Sequence, residues 1–289
     1  MQQSNSQEWR LAGGRLAAQV WGPDTASTTW LALHGWADNA ATFARLAPDL
    51  TDTLNLRIVA LDFSGHGHSA HRPPRSEYAL WSYSHDALDA LDALGLTRVT
   101  LLGHSLGAGV ANLLAATYPE RVQALVLIDG LLGRLATTAG LVGQLRRGLS
   151  DQRRPPSEPP RYRSVEQAVQ VRVSKSLLPI DADTARPIVL RNLDGCDRTG
   201  YRLRLDRQVM AARPMAFTEA QAVAVLAAIR CPALLLQGRD GIIPERDPRG
   251  VCRAAIPGLT QITLDGGHHL HLAPATCAPV AQAIARWYG

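Results

Sequence analysis

Six short apolar runs punctuate the chain: Trp30 to Leu33, Arg57 to Leu61, Val99 to Leu102, Ala124 to Ile128, Ala233 to Gln237 and Gln261 to Leu264. Each is followed at once by glycine, aspartate or histidine. Continuous apolar runs of this length are what strands buried on both faces look like. Between them lie helical patterns. The clearest is Tyr78 to Leu94, where Leu80, Tyr83, Ala87, Leu91 and Leu94 recur at helical spacing and Gly95 stops the run. Strands alternating with helices imply an α/β fold, with a mostly parallel central sheet flanked by helices on both faces. The first 23 residues read differently, as a hairpin: Trp9 and Leu11, the pair Gly13-Gly14, then Leu16, Ala18 and Val20 in alternation.

The rhythm breaks between about Gly130 and Ala220. No buried-strand run occurs there, and arginine and proline accumulate, as in RRPPSEPPR from Arg153 to Arg161. Residues 1–129 and 221–289 therefore form the α/β core, and residues 130–220 a mainly helical insertion. From 130 to 219 there are 16 basic and 9 acidic residues, whereas the rest of the chain is slightly acidic. The surplus either decorates a solvated helical surface or attracts an anionic substrate.

Composition removes several classes of function. With 289 residues, 46% hydrophobic and 19% charged, the chain has ample material for a packed core. No apolar stretch reaches the length of a membrane span. The polar start MQQSNSQEWR lacks the basic-then-apolar pattern of a secretory signal, so a cytoplasmic location is expected. Cys196, Cys231, Cys252 and Cys277 are scattered without a C-x-x-C and read as free thiols. All but one of the 30 basic residues are arginine, with no basic stripe and no reading motif, so no nucleic-acid partner is expected. His66 and His68 lie close together, but two ligands do not make a metal site. No metal and no cofactor is expected.

The sharpest motif is Gly103-His104-Ser105-Leu106-Gly107, between an apolar run and the helix-forming stretch Ala108 to Tyr118. A serine on a sharp strand-to-helix turn has strained backbone geometry, and its flanking glycines let strand and helix pass closely. Its hydroxyl then stands exposed at a helix start, where negative charge is favoured.

These residues resemble the α/β-hydrolase superfamily. His34-Gly35-Trp36 is similar to that family's H-G-x oxyanion loop, and Asp62 to Ser69 (DFSGHGHS) resembles its D-x-x-G-x-G-x-S turn. Gly238-Arg239-Asp240 through Pro244 resembles the segment carrying the catalytic acid, and Gly266-Gly267-His268 the segment carrying the base. HGWADNAATFARLAPDL, LRLDRQV and GGHHLHLAP look like the serine hydrolase-like proteins within the superfamily. The resemblance implies an α/β-hydrolase fold with the insertion as a cap.

It also implies a Ser-His-Asp triad, because a serine hydroxyl needs an adjacent base and the imidazole needs a carboxylate to hold its tautomer. Ser105 is the expected nucleophile. His268 is the expected base, with His269 its competitor; His269 and His271 otherwise pack or hydrogen-bond in the loop. The family spacing up to Pro244 favours Asp240 as the acid. Asp129, which also ends a strand, is the alternative that some members of the superfamily use. The backbone N–H groups of Trp36 and Leu106 are the expected oxyanion hole, with His34, Gly35, Gly103, His104 and Gly107 in support.

The leading expectation is hydrolysis of small-molecule carboxylic esters or thioesters through an acyl-enzyme. C–C bond hydrolysis or lysis on the same triad is the alternative. A silent binding relative is disfavoured because the triad is complete, and a serine at position 105 disfavours the branches that use aspartate there. Oligomeric state is not readable from the sequence.

Overall fold

The strands are β1 (Gln7–Leu11), β2 (Leu16–Trp21), β3 (Thr29–Leu33), β4 (Arg57–Asp62), β5 (Val99–His104), β6 (Val122–Ile128), β7 (Arg161–Tyr162), β8 (Leu193–Cys196), β9 (Gly200–Leu203), β10 (Ala233–Asp240) and β11 (Thr260–Gly267). The α-helices are α1 (Leu46–Leu54), α2 (Leu80–Ala93), α3 (Leu106–Thr117), α4 (Leu141–Arg153), α5 (Val165–Lys175), α6 (Ala182–Arg191), α7 (Glu219–Ala227), α8 (Ile243–Arg246), α9 (Val251–Ala255) and α10 (Cys277–Tyr288). The structure, a computed structural model, describes residues 6–155 and 157–289. The first five residues of the polar N-terminal stretch, and Pro156 of the arginine–proline tract, lie outside the described residues, so the reading of that N-terminus as no secretory signal is not addressed.

Eight strands form one sheet in the order β1-β2-β4-β3-β5-β6-β10-β11. The β1–β2 and β2–β4 pairs are antiparallel, and every other neighbouring pair is parallel. All six apolar runs are strands of this sheet. The hairpin read around Gly13-Gly14 is the β1–β2 pair, whose turn has φ +65° at Gly13 and +88° at Gly14. Alternation along the strands sends side chains to opposite faces. Leu31, Val59, Leu101 and Leu125 pack with α2, α3 and α7 on one face; Trp30, Ile58, Leu102 and Val126 pack with α1 and α10 on the other. The chain leaves β3 to one side for β4 and returns to the other for β5. The crevice at such a switch point, outside the carboxyl ends of the strands, is where open α/β sheets bind ligands.

The segment between β6 and β10 holds α4, α5, α6 and α7, and with them a three-stranded antiparallel sheet in the order β7-β9-β8 that the expectation of a mainly helical insertion did not include. These strands have two to four residues and are largely exposed, so they leave no apolar run in the sequence. Ala168, Val169, Ala185, Ile188 and Val189 give the segment a small core of its own, closed by Leu272 from the end of the chain. It docks on the loops after β3 and β4. The Asn39 side chain donates to Ile188 O, and Arg191 reaches both Asp62 and Glu8. Asp62, from the DFSGHGHS turn, is fully buried and also accepts from the N–H groups of Ala40 and His68.

Helix α3 crosses β3 at Gly107. A Cβ there would overlap the carbonyl of Leu33, which is backbone and cannot swing aside. Gly107→Ala is expected to cost about 2–3 kcal/mol through overpacking, which for a domain of this size lowers Tm by roughly 3–5 °C. Thermal unfolding followed by circular dichroism checks this. An unchanged Tm would mean that helix and strand are not in contact there.

Candidate active site

Ser105 sits between β5 and α3 with φ +53° and ψ −110°, a strained conformation for a residue with a side chain. Its own N–H is tied to Ile128 O at 3.0 Å, which locks the turn against the end of β6. His268 follows β11 directly. Its Nε2 accepts from the Ser105 hydroxyl at 2.9 Å, and its Nδ1–H donates to Asp129 Oδ2 at 2.7 Å. That network fixes the tautomer: the proton is on Nδ1 and the lone pair faces serine. Burial lowers the His268 pKa, and the Asp129 carboxylate opposes that shift.

The structure places Asp129, not Asp240, against the imidazole. Strands β5 and β6 are neighbours, and the register sets His104 opposite Ile128. The next residues, Ser105 and Asp129, therefore emerge side by side. Asp129 is fully buried at φ +41°. Asp240 lies one strand further out, opposite Gly267, after a register shift in β10, and it is exposed. The chain beyond it wraps Asp129 instead: Ile242 N–H donates to Asp129 Oδ2 at 2.8 Å. Only glycine fits at position 241, because a Cβ there would overlap the Asp129 carboxylate.

The supporting residues assemble around this centre. His34 is fully buried, and burial pushes its pKa down to about 4, so it is neutral near pH 7. Its Nδ1–H donates to Gly35 O at 2.7 Å and its Nε2 accepts from Phe63 N–H at 3.0 Å, bracing the loop after β3 against the end of β4. Gly103, in β5, faces Leu33 and Leu127 of the two neighbouring strands. Trp36 donates its indole N–H to Val209 O at 3.0 Å. The backbone N–H groups of Trp36 and Leu106 have no hydrogen-bond partner among the described residues.

Asp38 escaped the sequence reading although it lies in the quoted HGWADN segment. It is buried two residues beyond Trp36. His269 Nε2–H donates to its Oδ2 at 3.1 Å, and Arg172 of α5 donates to its Oδ1 at 2.6 Å. Burial alone would raise the Asp38 carboxyl, but His269 and Arg172 hold it well below the usual carboxylate range. His104 donates from Nε2 to His268 O at 2.9 Å and turns Nδ1 toward Asp38 Oδ2 at 3.7 Å. Asp38, His104 and His269 bring three possible ligand atoms within 4.8 Å of one another. The carboxylate, however, is already neutralised by Arg172. His271 Nε2 pairs with the Thr42 hydroxyl at 3.0 Å. The only sequence signal for Asp38 was a carboxylate inside an otherwise apolar, buried loop. His66 and His68 do not converge: one bonds Ser64 O, the other Glu8.

The α/β hydrolase fold family matches residues 31–274 of the chain. A serine hydrolase-like protein of Danio rerio is 32% identical over 272 residues, which is 90% of this chain and 81% of that protein. A serine hydrolase-like protein of Dictyostelium discoideum is 29% identical over 93% of this chain and 78% of that one. Among solved structures, a hypothetical protein of Pseudomonas aeruginosa PAO1 is 36% identical, with a TM-score of 0.87 over 98% of this chain and 99% of its own. A thioesterase domain from the curacin biosynthetic pathway shares the fold at 22% identity and a TM-score of 0.78, covering 98% of both chains. The chain belongs to the α/β-hydrolase superfamily, alongside the serine hydrolase-like proteins.

Proposed function

We propose that this protein hydrolyses carboxylic esters or thioesters through an acyl-enzyme on Ser105. The observation that carries the reading is the unbroken chain of hydrogen bonds from Ser105 Oγ through His268 to Asp129. In acylation, Ser105 Oγ attacks the carbonyl carbon while its proton passes to His268 Nε2. Asp129 stabilises the imidazolium. The tetrahedral oxyanion collapses, the carbon–oxygen or carbon–sulfur bond breaks, and His268 returns the proton to the departing alcohol or thiol. Water then attacks the acyl-serine with His268 again as base, releasing the carboxylic acid and free Ser105.

The unpartnered N–H groups of Trp36 and Leu106 are the oxyanion donors in this scheme, and each such donor contributes about 3 kcal/mol to lowering the barrier. Leu106 opens α3, so the helix adds its positive end. The segment from residue 130 to 220 serves as a cap that roofs the serine, since it is fastened to the loop carrying Trp36 and Asp38.

Ser105→Ala is expected to abolish both ester hydrolysis and fluorophosphonate labelling while leaving the fold intact. Labelling that persists in this variant would place the nucleophile elsewhere. Asp129→Asn should lower kcat by about 10⁴, the penalty of a wrong imidazole tautomer. Asp240→Asn, at an exposed position, should change kcat by no more than about twofold. Steady-state kinetics on p-nitrophenyl acetate decide between the acids, and a reversed ranking would return the role to Asp240. The base must be neutral to accept the serine proton, so kcat/KM rises with pH through the His268 pKa. Burial lowers that pKa, which puts the midpoint of the acid limb below the ordinary imidazole value of about 6.5. A pH profile of kcat/KM checks it, and a midpoint at or above 7 contradicts the assignment.

A further inference from the structure

In the sheet, β5 with its terminal Ser105 lies between β3 and β6. The cap segment from Asp206 to Phe217 is fastened on both sides of that strand end. On the β3 side, Val209 O accepts from the Trp36 indole at 3.0 Å, and Asp206 N–H donates to Gly65 O at 2.8 Å. On the β6 side, Phe217 O accepts from Ala136 N–H at 2.8 Å. The stretch between these ties joins the two sides, and Arg213 lies within it.

Arg213 is half-buried, and its side chain makes no hydrogen bond or ion pair with a carboxylate among the described residues. Its Nη1 is 3.9 Å from where a Cβ on Gly133 would stand, on the loop that leaves Asp129. Two further guanidiniums flank the same loop. Arg134 follows Gly133, and Arg246 ends α8, whose preceding residue Ile242 holds Asp129. Neither has a carboxylate partner among the described residues. Burial, together with the positive charges of Arg134 and Arg213, depresses the Arg246 pKa against the pull of Glu245 and Asp129. Of the three, Arg213 is half-buried and Arg134 and Arg246 are exposed, so an anion at Arg213 would pair a partly desolvated guanidinium that has no carboxylate of its own, with two further cations at its rim.

Beside Arg213 a cavity of about 260 Å³ opens between the cap and the start of α2. Trp81, Met210, Met215 and Tyr78 give it an apolar wall, and Arg207 adds a cation bonded only to the Ser157 hydroxyl. Its acidic members are occupied: Asp151 pairs with Arg154 and Ala212 N–H, and Glu77 accepts from Gln152. The surroundings therefore suit a ligand with an apolar body and an oxyanion end.

We propose that Arg213, with Arg134 and Arg246, forms an anion subsite beside the Ser105 centre, and that the substrate is an ester or thioester carrying a remote carboxylate or phosphate. This deepens the esterase reading and rests on it. The guanidinium fork suits such a group because it can bind two of its oxygens at once. The subsite acts on binding, so its effect falls mainly on KM.

The experiment compares the mono-p-nitrophenyl ester of adipic acid with p-nitrophenyl hexanoate, which has the same chain length without the charge. The wild-type protein should favour the anionic ester by about tenfold or more in kcat/KM, the size of one charge-assisted hydrogen bond. Arg213→Met keeps the stem and removes the charge, and should shrink that ratio about tenfold, chiefly through KM. Arg246→Met should move the ratio the same way and serves if Arg213→Met does not fold. Equal rates for the two esters, or a ratio unchanged in both variants, overturns the subsite. If neither ester is turned over, the esterase reading fails on its own, and ligand-induced Tm shifts still decide the subsite. Adipate or inorganic phosphate should raise the Tm of the wild-type protein but not of the variants. A larger shift with adipate assigns a carboxylate and a larger shift with phosphate a phosphate ester, while no shift with either overturns the proposal.

Discussion

The Asp129 carboxylate joins the ends of three strands, β6, β10 and β11, that lie in sequence across the sheet. It is fully buried, lies at the end of a central strand, and makes no ion pair with an arginine or lysine among the described residues. A buried carboxylate in that position must be satisfied by hydrogen bonds. His268 and the Ile242 N–H both donate to its Oδ2, while Oδ1 has no hydrogen-bond partner among the described residues, and the loops after β10 and β11 are drawn over the end of β6. The geometry that solvates the carboxylate also aims the imidazole at Ser105. The site and the packing of the last loops thus depend on one charge, and Gly241 is the space left for it.

The frame of this arrangement was legible in the sequence. All six apolar runs are strands, and five of them are buried as their apolarity marks; the sixth, Gln261 to Leu264, lies in the edge strand β11, where Ile262 and Leu264 are only half-buried and Gln261 and Thr263 are exposed. The Tyr78–Leu94 periodicity is α2, shortened by two residues at its start because Ala79 is extended. The turn that holds Ser105 and the loop that holds His268 carried strong motifs, and the structure brings the two side chains together. The acid was less legible. Asp129 and Asp240 both follow buried strands, and local sequence cannot say which strand neighbours β5. That is a matter of strand order, which puts β6 next to β5 and β10 beyond it. The spacing to Pro244 describes the loop that wraps Asp129 rather than the carboxylate that meets His268.

What stayed hidden depends on contacts between distant segments. Asp38 takes its meaning from Arg172, His104 and His269, which come from three other parts of the chain. The strands β7, β8 and β9 are short and exposed, so no period-two apolar pattern survives to mark them. Arg213 is one of 29 arginines in the sequence. It becomes distinct only because the fold places it beside the loop after Asp129 with no carboxylate to pair with.

Several links between the 130–220 segment and the rest of the chain are polar, beside apolar contacts such as those of Leu205, Val209 and Leu272. Arg191 brings its guanidinium to Asp62 with 5% of its side chain exposed, and Arg172 reaches Asp38. Desolvation offsets most of the attraction in such pairs, so their net contribution to stability is small, whereas losing one partner strands a buried charge. Their effect is on geometry. A carboxylate between two donors accepts one arrangement and rejects its neighbours, while an apolar interface of similar area tolerates sliding. Asp62 anchors the turn after β4 and Asp38 sits in the loop with Trp36, so the 130–220 segment, the proposed cap, is held in register with the loop that carries a proposed oxyanion donor. A shift of the cap by an ångström would move that loop, and in an oxyanion site such a displacement costs catalysis far more than it costs stability.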